Sequence, residues 1–187
     1  MSNPWPDFYI RHFMRYFGKP FDEEVYRQED GSSLRLATFD HGYRNYRIYA
    51  SLGLSEHAEQ LKDIGEVILL ADDPGKDIPF LFVNALFFIL TNRIALGSHF
   101  AIGGIETLNP DFAEHFRKQA LYFTLADGFP RGFDRIERGN QIGLVFQALF
   151  LSWAEHDLLN RKGWQELEEQ LKAQDADPCS LRRPPLA

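Results

Sequence analysis

A single cysteine, Cys179, stands among 187 residues. That scarcity excludes an intramolecular disulfide and a zinc site built on several thiolates, and it suits a reducing compartment. Long apolar runs are missing as well. A membrane span needs about 20 predominantly apolar residues. The most hydrophobic stretch, Ile78 to Leu90, contains Asn84 and is followed by Asn92 and Arg93, so it reads as a core helix and no membrane is expected as a partner. Basic charge is in deficit: 20 Lys and Arg against 27 Asp and Glu give a formal net charge of −7. An acidic body repels a phosphate backbone. The only basic clusters, Arg11/Arg15 and Arg131/Arg135/Arg138, lie among acids, so nucleic acid is not an expected partner. The opening residues, Met1 to Pro6, lack the basic and apolar regions of a secretory signal, and the expected location is cytoplasmic.

Reactive motifs are equally scarce. Six histidines are present, and none forms H-E-x-x-H or another close ligand pair. Ser98-His99 is not a catalytic dyad if the segment is extended, because neighbouring side chains then point to opposite faces. No nucleophile elbow, no phosphate-binding loop and no twelve-position calcium loop can be found. Asp72, Asp73 and Asp77 read as a polar turn between a strand and a helix. No cofactor, metal ligand set or catalytic residue is therefore assigned.

What the chain does have is core-forming material: 44% hydrophobic residues, including 17 Phe. That is the composition of a folded domain, and the length fits one domain of roughly 100–200 residues. Residues 1–174 are expected to form it. Residues 175–187, rich in proline and without periodicity, read as a C-terminal tail.

Pro6 to Phe17 predicts an amphipathic helix, with Tyr9, Phe13 and Phe17 four apart. Glu24–Gln28 and Leu34–Thr38 flank Asp30-Gly31 as a hairpin, and Asp40-His41-Gly42 reads as a further turn. Tyr46–Leu52 and Glu66–Ala71 read as strands, the second apolar throughout as in a sheet covered on both faces. A helix over Asp77–Ala95 is apolar almost all round and is expected to be enclosed. A short helix follows Asn109-Pro110, then a strand over Ala120–Ala126. Gly128–Gly139 reads as a surface loop, and Ile142–Leu151 as a central strand. Ser152 and Glu155 have capping-box spacing. Beyond Gly163, Trp164, Leu167 and Leu171 form a helical stripe that leaves Glu166, Glu168 and Glu169 to solvent. Helices at both ends with strands between predict an α+β fold with a mixed, mainly antiparallel sheet.

Several segments, taken in order, resemble the suppressor-of-fused domain family. They are Tyr49-Ala50-Ser51-Leu52-Gly53-Leu54-Ser55, Glu66-Val67-Ile68-Leu69-Leu70 and Leu96-Gly97-Ser98-His99-Phe100. The most telling is Gln147 through Leu159, with Gly163-Trp164 and Leu167. The resemblance spans roughly residues 30–172 in the family's order. It implies a sheet flanked by helices and binding of another polypeptide. Eukaryotic members bind a transcription factor in hedgehog signalling and carry a further C-terminal region that this chain is too short to hold, so that pathway is not implied. Stand-alone bacterial members are candidate immunity proteins, and an acidic surface suits a basic toxin. No catalytic residue is carried over.

The expected function is a non-catalytic protein-binding module, acting as a monomer or homodimer. The alternative is a hydrolase-like enzyme in which His99 or His41 meets a carboxylate distant in sequence. Candidate partner-binding residues are His99, Phe129, Arg131, Phe133 and Arg135, because aromatic and arginine side chains in conspicuous loops are enriched at binding hot spots. The competing reading places the two phenylalanines as plugs that fix the loop to the core. The Gly97–Gly104 segment is a further candidate for close approach of another chain.

Overall fold

A computed structural model describes residues 5–73, 75–174 and 177–186, with the side chains of 41–43 outside the described set. Eight strands form one sheet: β1 (Asp22–Arg27), β2 (Ser33–Tyr43), β3 (Tyr46–Leu52), β4 (Gly65–Ala71), β5 (Phe100–Gly103), β6 (Ala120–Leu125), β7 (Arg135–Arg138) and β8 (Gln141–Leu151). Their order is β1-β2-β3-β4-β8-β6-β5, with β7 also on β8. Every pairing is antiparallel except β4 with β8, where Glu66 faces Val145 and Leu69 faces Ala148. The helices are α1 (Trp5–Phe17), α2 (Ala58–Leu61), α3 (Asp77–Asn92), α4 (Ile105–Leu108), α5 (Pro110–Phe116), α6 (Trp153–Lys162) and α7 (Trp164–Ala173). The fold is α+β with a mixed, mainly antiparallel sheet.

Alternation along the central strands explains the layers. Val67, Leu69 and Ala71 of β4, with Phe146, Ala148 and Phe150 of β8, face α3 and α5. Ile68, Leu70 and Val145 point the other way, onto α1. Leu149 and Leu151 face α6 and α7. Both faces are covered, so β4 is buried at all seven positions and its sequence shows no polar alternation.

Close approach fixes α1. Its Tyr9 hydroxyl lies 2.9 Å from the carbonyl oxygens of both Ile64 and Leu144. A Cβ on Gly143 would sit 2.6 Å from that hydroxyl and 2.8 Å from the Trp5 ring. Glycine is needed there for space. The capping box at α6 is present: Ser152 Oγ accepts from the Glu155 amide, and Glu155 Oε2 accepts from the Ser152 amide. Asn109 caps α5 by accepting from the Phe112 amide at 3.0 Å.

Four local expectations change. Strand β2 does not end at Thr38 before a turn at Asp40-His41-Gly42 but runs to Tyr43, and the turn is Arg44-Asn45, both left-handed with φ of 51° and 64°. That backbone matches the twist of a two-residue hairpin. Within the expected 128–139 loop, Arg135–Arg138 adds strand β7 to β8. Helix α3 is not enclosed: Phe80 is 48% and Phe88 49% exposed. Glu168 does not point freely to solvent but accepts from Tyr122 and Thr124. Residues 177–186 have no helix or strand, as their composition suggests, yet they fold back. Leu181, Arg183 and Leu186 are buried, and Arg183 bonds the Phe150 carbonyl and Glu155.

Candidate interaction surface

Among the described residues three strands have a single partner: β1, β5 and the short β7. Strand β1 pairs only with β2 among the described residues, and five of its six positions are exposed. Unpaired edge amides and carbonyls form a template for another strand. Phe21 at its start and Val25 within it are exposed. Beside it lies a groove of about 300 Å³, lined among others by Phe21, Tyr26, Tyr49, Pro79 and Phe80. Phe80 and Phe88 are eight residues apart on α3, on one face with Asn84 and Asn92. Each Asn side chain donates back to the carbonyl four residues earlier, to Phe80 and Phe88 respectively. The result is a face on which two half-exposed phenylalanines alternate with asparagines. Asp22, Glu23 and Glu24 lie along the β1 edge, with Arg35 3.6 Å from Glu23 and Arg47 over the Phe21 ring.

The loop residues expected at a binding surface divide. Phe133 is fully buried. Its ring lies 4.4 Å from Phe129, 5.0 Å from Tyr16 and 5.2 Å from Phe17, and its carbonyl is 2.9 Å from His12 Nε2. It plugs the loop onto α1. Burial pushes the His12 pKa down, which favours the neutral ring in that contact. Phe129 is half-buried against Phe17. Arg131 and Arg135 are exposed, with Arg135 Nε 3.7 Å from Asp134.

His99 belongs to a different cluster. It adopts a left-handed backbone with φ 51° and stacks on Trp164 at 4.0 Å. Its Nδ1 lies 3.2 Å from Tyr122 Oη and 3.3 Å from Thr124 Oγ1. Glu168 Oε1 is 3.8 Å away, beyond hydrogen-bond reach, and takes its bonds from the Tyr122 and Thr124 hydroxyls instead. Ser98 Oγ donates to the Ala95 carbonyl. Among the described residues no serine or cysteine nucleophile hydrogen-bonds His99, and its one carboxylate neighbour, Glu168, stands at 3.8 Å. The side chain of His41 lies outside the described residues. The Gly97–Gly104 segment forms a 3₁₀ turn and the four-residue edge strand β5.

The edge strand's aromatic border was not recognised in the sequence. An all-round apolar helix reads as core, whichever face is left uncovered. The pattern Phe80-x-x-x-Asn84-x-x-x-Phe88-x-x-x-Asn92 was the available signal.

The sequence matches no protein-family model and no curated protein. Solved structures do match. A protein described as a SUFU (suppressor of fused protein) homolog from Neisseria gonorrhoeae FA 1090 superimposes with a TM-score of 0.70 at 12% identity, covering 98% of this chain and 97% of that one. A chain of the Sufu-Fu complex superimposes at 0.69 and 12% identity, covering the whole of this chain and 93% of that one. The chain has the suppressor-of-fused fold. At this identity the likeness concerns the architecture. The suppressor-of-fused sheet is thus assembled here from a sequence nearly nine-tenths different. Among the described residues no helix is long and apolar enough to cross a membrane.

Proposed function

We propose that this chain is a non-catalytic protein-binding module that captures an extended, basic segment of another protein along β1. The observation that carries the reading is the uncovered edge strand, which carries Asp22, Glu23 and Glu24 and is bordered by Phe21, Val25 and Phe80. Main-chain pairing supplies affinity in strand addition, and flanking pockets supply selectivity. The likeness to a chain crystallised in the Sufu-Fu complex supports a polypeptide partner. The net charge of −7 supports a basic one. In its finer form, the module is an immunity protein that neutralises a toxin in the cytoplasm. Arg131 and Arg135, with the rim of Phe129, form a second contact patch whose shape Phe133 maintains, and His99 marks a third contact on the α7 side.

The test is recovery of a partner from native lysate, followed by binding with the purified components. The Phe21→Ser/Val25→Lys double variant should lose the partner while keeping the wild-type melting temperature. Retention of equal affinity would overturn the edge assignment. Arg131→Ala/Arg135→Ala tests the second patch in the same assay. Immunity is tested by co-expression: the partner should arrest growth alone and cease to do so with this chain.

A further inference from the structure

Lys118 follows α5 and is 1% exposed. No carboxylate or other acceptor pairs with its ammonium group among the described residues. Burying a charge without a partner is expensive, and burial pulls the Lys118 pKa down to about 8. The neighbouring Arg117 is exposed and has no ion-pair partner among the described residues. Both residues line two adjoining pockets, of about 320 Å³ and about 410 Å³.

The first pocket is lined by His115, Arg117, Lys118, Arg182 and Arg183, with Phe116, Leu181 and two prolines, and by no acid. In a chain of net charge −7 this is a local reversal of sign. Asp72, Asp73 and Glu155 are engaged by other groups, whereas Glu106 and Glu114 are exposed on the rim of the second pocket. Glu155 holds Arg183 at 2.8 Å, and Asp73 holds Arg182 at 3.2 Å. Asp72 accepts from the Ser180 hydroxyl and the Leu181 amide. Among the described residues Arg183 Nε is a buried donor without a partner, and Glu155 Oε1 a buried acceptor without one.

The second pocket shares Ser152 with the first, adds Trp153 and Ala154 at the start of α6, and is also lined by Glu106 and Glu114. The capping box occupies the Ser152 and Glu155 amides and leaves the first-turn amides of Trp153 and Ala154 available. Helix N-terminal amides favour anions. Trp153 itself is 71% exposed, an indole face beside the cations.

We propose that Lys118, Arg117 and the first turn of α6 form a binding site for a phosphate-class oxyanion, free or carried as a small phosphomonoester whose organic body lies against Trp153. The site is separate from the β1 edge and does not depend on the protein-binding reading. The groups facing Lys118 are His115, Arg117, Arg182 and Arg183 on the basic side, and Asp72, Glu106, Glu114 and Glu155 on the acidic side. A bound oxyanion supplies a direct partner for Lys118, on which the Glu155 and Asp72 carboxylates act only at a distance.

The probes are sulfate, inorganic phosphate and phenyl phosphate at constant ionic strength, read by Trp fluorescence and melting temperature on the full chain. Sulfate keeps its charge across the range used, so its pH profile reports the protein. All three should give saturable responses in the wild type. Sulfate affinity should be about tenfold weaker at about pH 9 than at about pH 7, following loss of the Lys118 proton. Lys118→Met should fold and lose the saturable response at about pH 7 as well as at about pH 9. Arg117→Ala, at an exposed position, should weaken binding with the fold intact. Tighter binding of phenyl phosphate than of phosphate identifies the monoester as the ligand; equal binding identifies the free oxyanion. A wild type that shows no saturable response to any probe, or a Lys118→Met variant that responds as the wild type does, overturns the proposal.

Discussion

Glu66 has no exposed surface, and both of its carboxylate oxygens accept. Oε1 takes the amides of Gly53 and Ser55 and the Ser55 hydroxyl; Oε2 takes the Ser51 hydroxyl and, at 3.3 Å, the Leu54 amide. One side chain on β4 thus ties down the whole turn that leaves β3. Burial pushes its pKa up while these donors pull it back. Glu66→Gln would turn an NH2 group against an amide donor. A loss of ~1–3 kcal/mol is expected from the buried donors left unsatisfied, measured by urea denaturation. Lys118 gives the opposite sign. Its folded pKa of about 8 lies below the ordinary 10.5, so above pH 8 the unfolded chain binds more protons than the folded one. Stability contributed at this site therefore rises with pH between those values. Lys118→Met should be more stable than wild type at neutral pH, with the gap narrowing toward alkaline pH. A constant gap in urea midpoints would contradict this.

Elements were legible where a local rule decides them. The capping box marks the start of α6, and Ser152→Ala should cost about 1 kcal/mol in thermal denaturation. The stripe of Tyr9, Phe13 and Phe17 marks α1, and the unbroken apolar run of β4 marks a strand covered on both faces. Where a distant partner decides, the sequence is silent. Residues 135–138 are a strand only because β8 offers its free flank. Glu168 looks like one of three solvent acids until Tyr122 and Thr124 come within reach. Phe129 and Phe133 look alike in sequence, and only the pocket between Tyr16 and Phe17 separates a buried plug from a rim residue. Gly143 gave no cue, because what crowds it lies more than a hundred residues away. Gly143→Ala should push α1 off the sheet and lower the melting temperature, with loss of Trp5 and Tyr9 protection from solvent in near-ultraviolet circular dichroism.

At the scale of the molecule, the last residues are part of the body. Arg183 pairs with Glu155 where both are buried, and Leu181 and Leu186 fill the flanks of α5 and α7. Removing one member of a buried pair leaves the other uncompensated. Arg183→Met should therefore destabilise by ~3–5 kcal/mol, and the Arg183→Met/Glu155→Met double variant should recover much of that loss. Additive losses in a thermal double-mutant cycle would mean that the two charges are not coupled.

The parallel seam between β4 and β8 also has a consequence for synthesis. Strands β1 to β4 are a local meander and can pair as they leave the ribosome, whereas the partner of β4 is translated long afterwards. During that interval a strand that is apolar from Val67 to Ala71 stands with one side open, the condition that invites wrong pairing. Nascent chains halted before Gln141 should accordingly collect in the insoluble fraction or on chaperones, and release from them should coincide with the emergence of Leu151.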